Sequence, residues 1–445
     1  MFALKSCGRT LSKGIRSVGR QEQVALARLP QTLRASFSVA AEVLVGKNAN
    51  TISSASNSTA VDLSGKDFPT VDILWKDGHK STFHAIWLLD HDPKYVHETS
   101  LQRGLDSAGL SLSTEHPTAI AVSDDGSKVT FSWEGAEVVE YDAEFLRNHC
   151  YTKTPPEEFS SPKEFDPILW NAKNMSKDTI PTFNSERIVS DDAELYKALV
   201  SLKKYGVILV DNMPSSLSGT EEITRRFGPP RETFYGAMWD TAPKPGAEVN
   251  DTAYTKDALH PHTDASYLYD MAGLQCFNCV AQSEALTDEA NSEEGCTKIL
   301  DGFKIMEILK QEEPSTYEFF LNNKLKWFCM EEGVHMEMVA TAFTETPYKI
   351  FRYNSYDLDT VDYLPSELVP EYYKHTKIIN EYIRSKDNVV LARLMPGEMV
   401  IVDNQRVCHG RTSFTGYRNM VGCYIGRDDW YSKLRVLRSQ VDLAE

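Results

Sequence analysis

The sequence lacks several features that mark other classes of protein. Its 8 cysteines in 445 residues are too few and too unevenly spaced for a disulfide framework. No apolar run approaches the roughly 18 residues that a membrane-spanning helix needs. Glycine-rich phosphate loops and internal repeats are also missing. Acidic residues outnumber basic ones, 64 to 47, so a nucleic-acid backbone is not the expected partner. We expect no membrane partner either.

What is present is typical of a globular protein. The chain is 41 % hydrophobic and 10 % aromatic, and its length predicts roughly two to three domains. Cys276 and Cys279 form a CxxC pair, but no second pair accompanies it. We interpret both as packing cysteines within a strand.

The first 41 residues differ from the rest in charge. Residues 1–41 are rich in arginine and serine and contain a single acid, Glu22. This composition is typical of an organelle transit peptide, and we expect import into the mitochondrial matrix. Plastid import and a disordered basic tail are the alternatives. Residues 42–66 are rich in small polar residues and are expected to form a linker.

A small β-rich domain is predicted over residues 67–150. Two stretches of alternating residues there carry Asp-Gly turns, at Asp77-Gly78 and Asp125-Gly126, which predict two β-hairpins. Residues 151–180 are rich in proline and charge and are expected to connect this domain to the next.

Residues 181–445 are predicted to form a larger domain. Helical periodicity over residues 191–204 precedes an apolar strand at 207–210, and another helix is predicted over 366–384. Short strands with turn signals between them recur from residue 254 onward. This pattern indicates a mainly β domain with helical insertions, either an antiparallel sandwich or a barrel.

Three residues in this domain suggest a metal centre. On a strand, His262 and Asp264 of an HxD sequence would face the same side. A third ligand from a distant strand would complete a set of two histidines and one carboxylate, which suits Fe(II) and the activation of O2. His409 follows an apolar strand and is a better candidate than His375, which falls in the predicted helix.

An iron of this kind needs a co-substrate that supplies two electrons. A 2-oxo acid would bind the metal and would need a cation for its distant carboxylate. Arg418, nine residues after His409, is our first candidate because a guanidinium binds a carboxylate through two parallel hydrogen bonds. Arg411 is a second candidate, and a surface ion pair is the alternative for either arginine.

These residues lie within longer motifs that resemble the Fe(II)/2-oxoglutarate-dependent dioxygenases of carnitine biosynthesis. The resemblance covers roughly residues 68–440. The motifs that carry it are PILWNA (167–172), YGVILVDNMP (205–214), RETFYGAMW (231–239), DTAYTKDALHPHTD (251–264), GCTKILDGF (295–303), FRYNSYD (351–357) and PGEMVIVDNQRVCHGRTSFTGYRNMVGCYIGRDD (396–429).

The resemblance implies a double-stranded β-helix, or jelly roll, as the catalytic domain. It implies that His262, Asp264 and His409 hold Fe(II), and that Arg418 and Thr297 bind 2-oxoglutarate. It also implies a homodimer, with ascorbate as the supporting reductant. Some family members hold a structural zinc in their N-terminal domain through cysteines. The corresponding segment here, residues 87–97, has no cysteine, so we expect no structural zinc.

The substrate of this family carries a quaternary ammonium group, which aromatic faces hold through cation–π contacts. Tyr235, Trp239, Tyr254 and Tyr424 coincide with the cage positions of the family. The alternative is that these four residues are ordinary core aromatics.

The other end of the substrate separates two family activities. γ-Butyrobetaine ends in a carboxylate alone, whereas trimethyllysine also has an α-ammonium group. Asp251 occupies a position that is Asn in the γ-butyrobetaine enzymes, and a carboxylate there would attract an ammonium. Asn354 is expected to bind the substrate carboxylate. The alternative for Asp251 is a turn residue.

We therefore expect hydroxylation of N6,N6,N6-trimethyl-L-lysine at C3, the first step of carnitine synthesis. Oxidation of γ-butyrobetaine or of another quaternary amine is the alternative within this class. A non-catalytic jelly-roll binding protein is the alternative from another class.

Overall fold

The computed structural model describes residues 68–111, 114–135, 138–151, 165–241, 255–286, 293–331, 333–346 and 348–441. The chain divides into two compact units, residues 1–160 and 161–445. The predicted leader (1–41) and linker (42–66) lie outside the described residues, as do Asp251 and Tyr254. No helix among the described residues is long and apolar enough to cross a membrane.

Within the described part of the first unit, two small antiparallel sheets form, one with two strands and one with three, each in chain order. Gly78 and Gly126 adopt positive φ in the turns of both predicted hairpins. The elements are β1 (Thr70–Leu74), β2 (Lys80–His84), α1 (Ala85–Asp90), β3 (Ala119–Val122), β4 (Lys128–Ser132), β5 (Val139–Asp142) and α2 (Ala143–Asn148).

The first hairpin is shorter than the sequence predicted. The stretch after Asp77-Gly78 that predicts its second strand, HKSTFHAIWL, runs to Leu88, but the ladder ends at the Thr70–His84 pair and α1 begins at Ala85. Ala85 N still donates to Pro69 O at 2.8 Å, and α1 continues from there. The backbone groups after His84 therefore satisfy one another within a helix.

The second unit contains the remaining regular elements of the described residues. Its strands are β6 (Thr182–Asn184), β7 (Val207–Asp211), β8 (Trp239–Asp240), β9 (Leu259–His262), β10 (Leu274–Gln282), β11 (Thr297–Asp301), β12 (Lys324–Glu331), β13 (Val334–Thr341), β14 (Phe343–Thr344), β15 (Ile350–Phe351), β16 (Val390–Ala392), β17 (Met399–Asp403), β18 (Val407–Arg411) and β19 (Arg418–Ile425). Its helices are α3 (Ser185–Ser190), α4 (Asp192–Tyr205), α5 (Leu217–Phe227), α6 (Gly302–Glu312), α7 (Pro314–Asn322), α8 (Val369–Arg384) and α9 (Arg427–Val441).

Two sheets pack face to face in this unit. As described, one has the strand order β6-β7-β17-β10-β19-β8 and the other β16-β11-β18-β9. Apolar residues of both sheets, such as Val402 and Ile299, share one buried core. Helices α4, α5 and α9 cover the outside of the first sheet, and α6, α7 and α8 cover the second. This confirms the predicted jelly roll, mainly β with helical insertions.

Part of the predicted connector packs into this core. Trp170, Met175 and Ile180 are buried in the core that residues of both sheets share, although the sequence assigned residues 151–180 to a linking segment. The domain boundaries stay a prediction.

The end of α4 shows how the sequence fixes one turn. The helix ends at Tyr205, one residue beyond the predicted limit, and Gly206 follows in the left-handed conformation with φ 72°. A Cβ at this glycine would also lie 2.7 Å from Val407 Cγ2. Glycine is therefore needed here both for its backbone angle and for the close approach of β18.

A buried ion pair fixes the residue that immediately precedes β18. Arg406 is 1 % exposed and donates to both oxygens of Asp301, at 3.0 and 2.8 Å. The same guanidinium donates to the backbone oxygens of Lys204 and Ile168, each at 2.7 Å. One side chain thus joins the end of β11, the end of α4 and the segment before Trp170.

We predict that Arg406→Met destabilises the protein by about 3–5 kcal/mol, because it leaves the Asp301 carboxylate buried without its partner. Urea unfolding of the purified protein measures this loss. Arg225→Met is the control, since the Arg225–Glu221 pair lies on the surface and is expected to contribute at most about 0.5 kcal/mol. Equal losses in the two variants would contradict the anchoring role of Arg406.

Candidate active site

The two histidines and the aspartate that the sequence singled out converge in the second unit. His262 ends β9 and is paired with His409 of β18 across the sheet. The Nε2 atoms of His262 and His409 lie 3.2 and 3.5 Å from Asp264 Oδ1. Among the described residues, these three form the group whose ligand atoms all lie within 4.8 Å of one another.

Asp264 reaches the group through a turn rather than by the strand alternation expected from the sequence. Strand β9 ends at His262, and Ala265 has a positive φ of 56°. The side chain of Asn404 holds this turn on both sides. It accepts from Asp264 N at 2.8 Å and donates to Asp264 O at 2.9 Å.

The two oxygens of Asp264 have different surroundings. Oδ2 accepts hydrogen bonds from the Gln275 amide and, at 2.8 Å, from the Tyr424 hydroxyl. Gln275 and Tyr424 stand opposite each other on β10 and β19. Burial disfavours the ionised Asp264, but His409, His262 and the Tyr424 hydrogen bond outweigh it and hold the pKa of Asp264 below its usual value. Because Gln275 and Tyr424 occupy Oδ2, Oδ1 is the oxygen that faces the two imidazoles.

The imidazoles present the nitrogen that a metal would use. His262 Nδ1 lies 2.7 Å from the backbone oxygen of His260. Nδ1 must carry the proton in that contact, so Nε2 is the nitrogen that faces Asp264 Oδ1 and would bind a metal. Burial lowers the pKa of His409 to about 4, which favours its neutral form. His409 Nδ1 is enclosed and meets no partner among the described residues.

This donor set fits Fe(II). Two imidazole nitrogens and one carboxylate oxygen, all on one side, would leave open positions for a chelating co-substrate and O2. A zinc site of the structural type would require four protein ligands. In the first unit, the ring Nδ1 of His91 lies 3.1 Å from Trp87 O, and that of His97 lies 3.2 Å from Thr99 Oγ1. The absence of a structural zinc stays a prediction.

A cavity of about 330 Å³ opens beside the three ligands. Arg418 and Thr297 lie on its wall, and Arg418 Nη2 donates to Thr297 Oγ1 at 3.1 Å. Arg418 Nε is enclosed without an acceptor, and no carboxylate of the described residues forms an ion pair with this guanidinium. Burial also lowers the pKa of Arg418, so an anion bound there would satisfy a poorly solvated cation.

Arg411 has a different environment. It also lines the cavity, but its Nε donates to Asp257 O at 3.0 Å and its Nη2 to Thr255 Oγ1 at 3.1 Å. Its guanidinium is thus engaged by the chain that leads into β9. Of the two predicted arginines, Arg418 has the geometry suited to a bound carboxylate.

Aromatic side chains form another part of the cavity wall. Tyr235, Trp239 and Tyr424 lie there, and the rings of Trp239 and Tyr424 are 6.2 Å apart. The structure therefore brings together three of the four predicted cage residues. The sequence analysis missed Phe277. The centroid of its ring lies 5.4 Å from that of Trp239 and 4.8 Å from that of His409.

Asn354 lines the cavity and is 6 % exposed. Its Oδ1 accepts from Tyr356 N at 2.9 Å, and its Nδ2 donates to Asp357 Oδ2 at 2.7 Å. The amide is therefore oriented by its own loop. Asp357 belongs to the motif FRYNSYD, but the sequence analysis assigned it no role.

Gln275 and Asn404 were also missed. Gln275 is a polar residue in an apolar strand, and Asn404 lies in a polar turn between two apolar strands. These two features are the signals in the sequence that could have identified the two residues. Their partners lie 11 and 140 residues away in the chain, so sequence alone could not assign them to Asp264.

Residues 172–424 match the family described as taurine catabolism dioxygenase TauD, TfdA family. The chain belongs to this dioxygenase family. It is 32 % identical over 365 residues to the mitochondrial trimethyllysine dioxygenase of Rattus norvegicus, covering 80 % of this chain and 82 % of the relative. Against the gamma-butyrobetaine dioxygenase of Homo sapiens, the identity is 25 % over 385 residues, covering 84 % and 95 %.

Among solved structures, an asparagine oxygenase in complex with Fe(II), 2S,3S-3-hydroxyasparagine and succinate is similar to this dioxygenase. Its TM-score is 0.41 at 14 % identity, covering 55 % of this chain and 93 % of the other. The predicted enzyme class, a 2-oxoglutarate-dependent dioxygenase, is confirmed by the family and by the relatives.

We predict that Tyr424→Phe weakens metal binding by the dioxygenase roughly 10-fold, because it removes one of the two donors to Asp264 Oδ2 and keeps the aromatic ring. Competition with a coloured chelator, without substrate, measures this affinity. Tyr417→Phe is the matched control, since Tyr417 lies just before the same strand and is 42 % exposed. Equal affinities for the two variants would contradict a supporting role for the Tyr424 hydroxyl.

Proposed function

We propose that this dioxygenase hydroxylates N6,N6,N6-trimethyl-L-lysine at C3. The observation that carries the proposal is the aromatic wall of Tyr235, Trp239 and Tyr424 in the cavity that also contains His262 and Asp264. A trimethylammonium group donates no hydrogen bond, so aromatic faces are suited to bind it. The higher identity to trimethyllysine dioxygenase supports this substrate over γ-butyrobetaine.

In this proposal His262, Asp264 and His409 hold Fe(II), and Arg418 and Thr297 bind the distant carboxylate of 2-oxoglutarate. With both bound, the site supplies oxidation of a C–H bond by O2, with succinate and CO2 as co-products. Gln275 and Tyr424 keep Asp264 Oδ2 occupied, so that its Oδ1 serves as the ligand. Arg411 stabilises the chain segment that leads into His262.

The protein's own contribution to selectivity is the position of the substrate. The aromatic cage, to which we also assign Tyr254, fixes the ammonium end. Asp251 and Asn354 bind the amino-acid end, through the α-ammonium and the carboxylate respectively. A substrate held at both ends presents one carbon to the metal, and such positioning lowers the barrier by several kcal/mol.

The decisive experiment uses the full chain loaded anaerobically with Fe(II) and 2-oxoglutarate. Air is then admitted with trimethyllysine or γ-butyrobetaine, and mass spectrometry detects succinate and a product that contains one added oxygen atom. We expect product mainly from trimethyllysine. Asp264→Ala is expected to abolish turnover, because the metal loses its anionic ligand.

Each other outcome changes the proposal in a defined way. Product mainly from γ-butyrobetaine would retain the chemistry and overturn the substrate. Neither product nor succinate from either compound would favour a non-catalytic binding protein. Activity retained in Asp264→Ala would refute the metal assignment.

We predict that Asp251→Asn lowers the use of trimethyllysine relative to γ-butyrobetaine by roughly 10-fold or more, because it removes a charged partner of the α-ammonium. The measured quantity is the ratio of kcat/KM for the two compounds in one preparation. Asp257→Asn, six residues further on, is the control because only the Asp257 backbone oxygen has an assigned contact with the site. An unchanged ratio in Asp251→Asn would remove Asp251 from the substrate site.

We further propose a mitochondrial matrix location, a homodimer, and ascorbate as the reductant that keeps the iron active. The basic composition of residues 1–41 and the mitochondrial relative support the location. Plastid import stays the alternative. Fluorescent tagging of the full chain, size-exclusion chromatography with light scattering, and turnover with and without ascorbate test these three points.

A further inference from the structure

The strand that carries His262 lies at the edge of its sheet. In the order β16-β11-β18-β9, β18 is the strand of the described residues that pairs with β9. Pro261, within β9, has no N–H group to offer to a further strand. The position of His262 therefore depends on contacts other than those with a second neighbouring strand.

One short loop segment attaches to the chain on both sides of His262. After the histidine, Thr263 N donates to Tyr353 O at 2.8 Å, and Tyr353 N donates to Thr263 Oγ1 at 3.0 Å. Before it, His260 N donates to the Tyr356 hydroxyl at 2.9 Å. The candidate metal ligand thus lies between two attachments to the same segment.

The two attachments differ in their exposure. Thr263 is fully buried and Tyr353 is 8 % exposed, so their mutual contacts belong to the protein core. Tyr356 is 41 % exposed and lines the cavity. Its attachment depends on one side-chain oxygen at the surface, which a substitution can remove without opening a space in the core.

The contact of Tyr356 with His260 reaches the imidazole of His262. The Tyr356 hydroxyl holds His260 at its N–H, and the backbone oxygen of His260 lies 2.7 Å from His262 Nδ1. Pro261, between the two histidines, restricts the backbone because its ring fixes φ. The Tyr356 ring also lies edge-on to the imidazole, with centroids 5.6 Å apart and planes at 79°. Tyr356 therefore acts on the direction of the imidazole by two routes.

We propose that Tyr356 is a positioning residue for His262, because its hydroxyl holds His260 and thereby fixes the direction of His262 Nε2. The inference rests on the proposed function, in which His262 binds the metal. A ligand that is oriented before the metal arrives needs less reorganisation, so loss of the hydroxyl weakens metal binding and alters the geometry of the site. Residues 353–356 include Asn354, so one segment supports the metal ligand and also carries the residue assigned to the substrate carboxylate.

The test is Tyr356→Phe in the full chain, which keeps the ring beside His262 and removes the acceptor for His260 N. Binding of Co(II), without substrate, is followed through its visible absorption bands, whose energies and intensities depend on the arrangement of the ligands. We expect the affinity to fall roughly 3- to 10-fold, the range for one hydrogen bond between neutral groups, and the bands to shift. Urea unfolding should change little, because water can solvate His260 N at this exposed position.

Tyr363→Phe is the matched control. It makes the same substitution seven residues later, at a tyrosine that is 51 % exposed and lies outside the cavity wall. We expect this variant to bind Co(II) with the wild-type affinity and bands. Wild-type affinity and bands in Tyr356→Phe, or equal changes in the two variants, would overturn the inference.

A second substitution keeps the inference testable if Tyr356→Phe does not fold. Tyr356→Met also lacks an acceptor oxygen, and the same loss of affinity and shift of the bands are expected. Failure of both variants to fold would assign Tyr356 to stability and would refute the positioning role.

The inference and the proposed function fail in different ways. If Asp264→Ala binds Co(II) with the wild-type affinity and bands, the metal lies elsewhere and the proposed function is wrong. If Asp264→Ala loses this binding while Tyr356→Phe matches the wild type, only the Tyr356 assignment is wrong. No quaternary amine is present in these measurements, so the identity of the substrate does not affect them.

Discussion

The constraint on which this active site depends is the placement of one carboxylate between two imidazoles inside the protein. Such a group loses hydration when it is buried, and it would favour the protonated form without compensation. Contacts with neighbouring side chains compensate Asp264 for this loss. His262 and His409 lie beside its Oδ1, and Gln275 and Tyr424 donate hydrogen bonds to its Oδ2. Each oxygen of Asp264 thus has a fixed direction before a metal binds, which limits the reorganisation that binding requires.

That placement depends on contacts that lie progressively farther from the metal. Asn404 holds the backbone of Asp264, and Arg406, two residues later, is joined to Asp301 at the end of β11. Strand β11 pairs with β18, which carries His409. The buried ion pair, the turn at Asn404 and the pairing of β9 with β18 therefore support one arrangement, and a change in any of them alters the distances between the ligands.

The sequence predicted the identities of the main residues better than it predicted how they meet. The HxD sequence and the late histidine led to the three residues of the cluster, and alternating apolar residues led to the sheets. The backbone conformation at Asp264 differs from the prediction, since a turn with positive φ at Ala265 replaces the expected strand. Local periodicity describes a strand that continues, but it has no information about where tertiary contacts end that strand.

The supporting residues were less accessible to prediction for another physical reason. Gln275 acts on Asp264 because β10 and β19 place it opposite Tyr424, and that register is set by packing across the whole sheet. Asn354 illustrates the same point within a motif that was already noticed, since its amide donates to Asp357 Oδ2. This contact follows from a loop that Tyr356 N and β12 hold in place. Spacing in the sequence identifies candidate residues, whereas the directions of their donors and acceptors follow from the fold.

Different walls of the cavity carry different groups of residues. The three clustered residues lie on β9, in the turn that follows it and on β18, Arg418 and Thr297 face each other from β19 and β11, and Asn354 lies on the loop beside β12. These walls are connected, because the Tyr356 hydroxyl of this loop accepts from His260 N at 2.9 Å and the rings of Tyr356 and His262 have centroids 5.6 Å apart, so a change in the loop can reach the strand that carries His262.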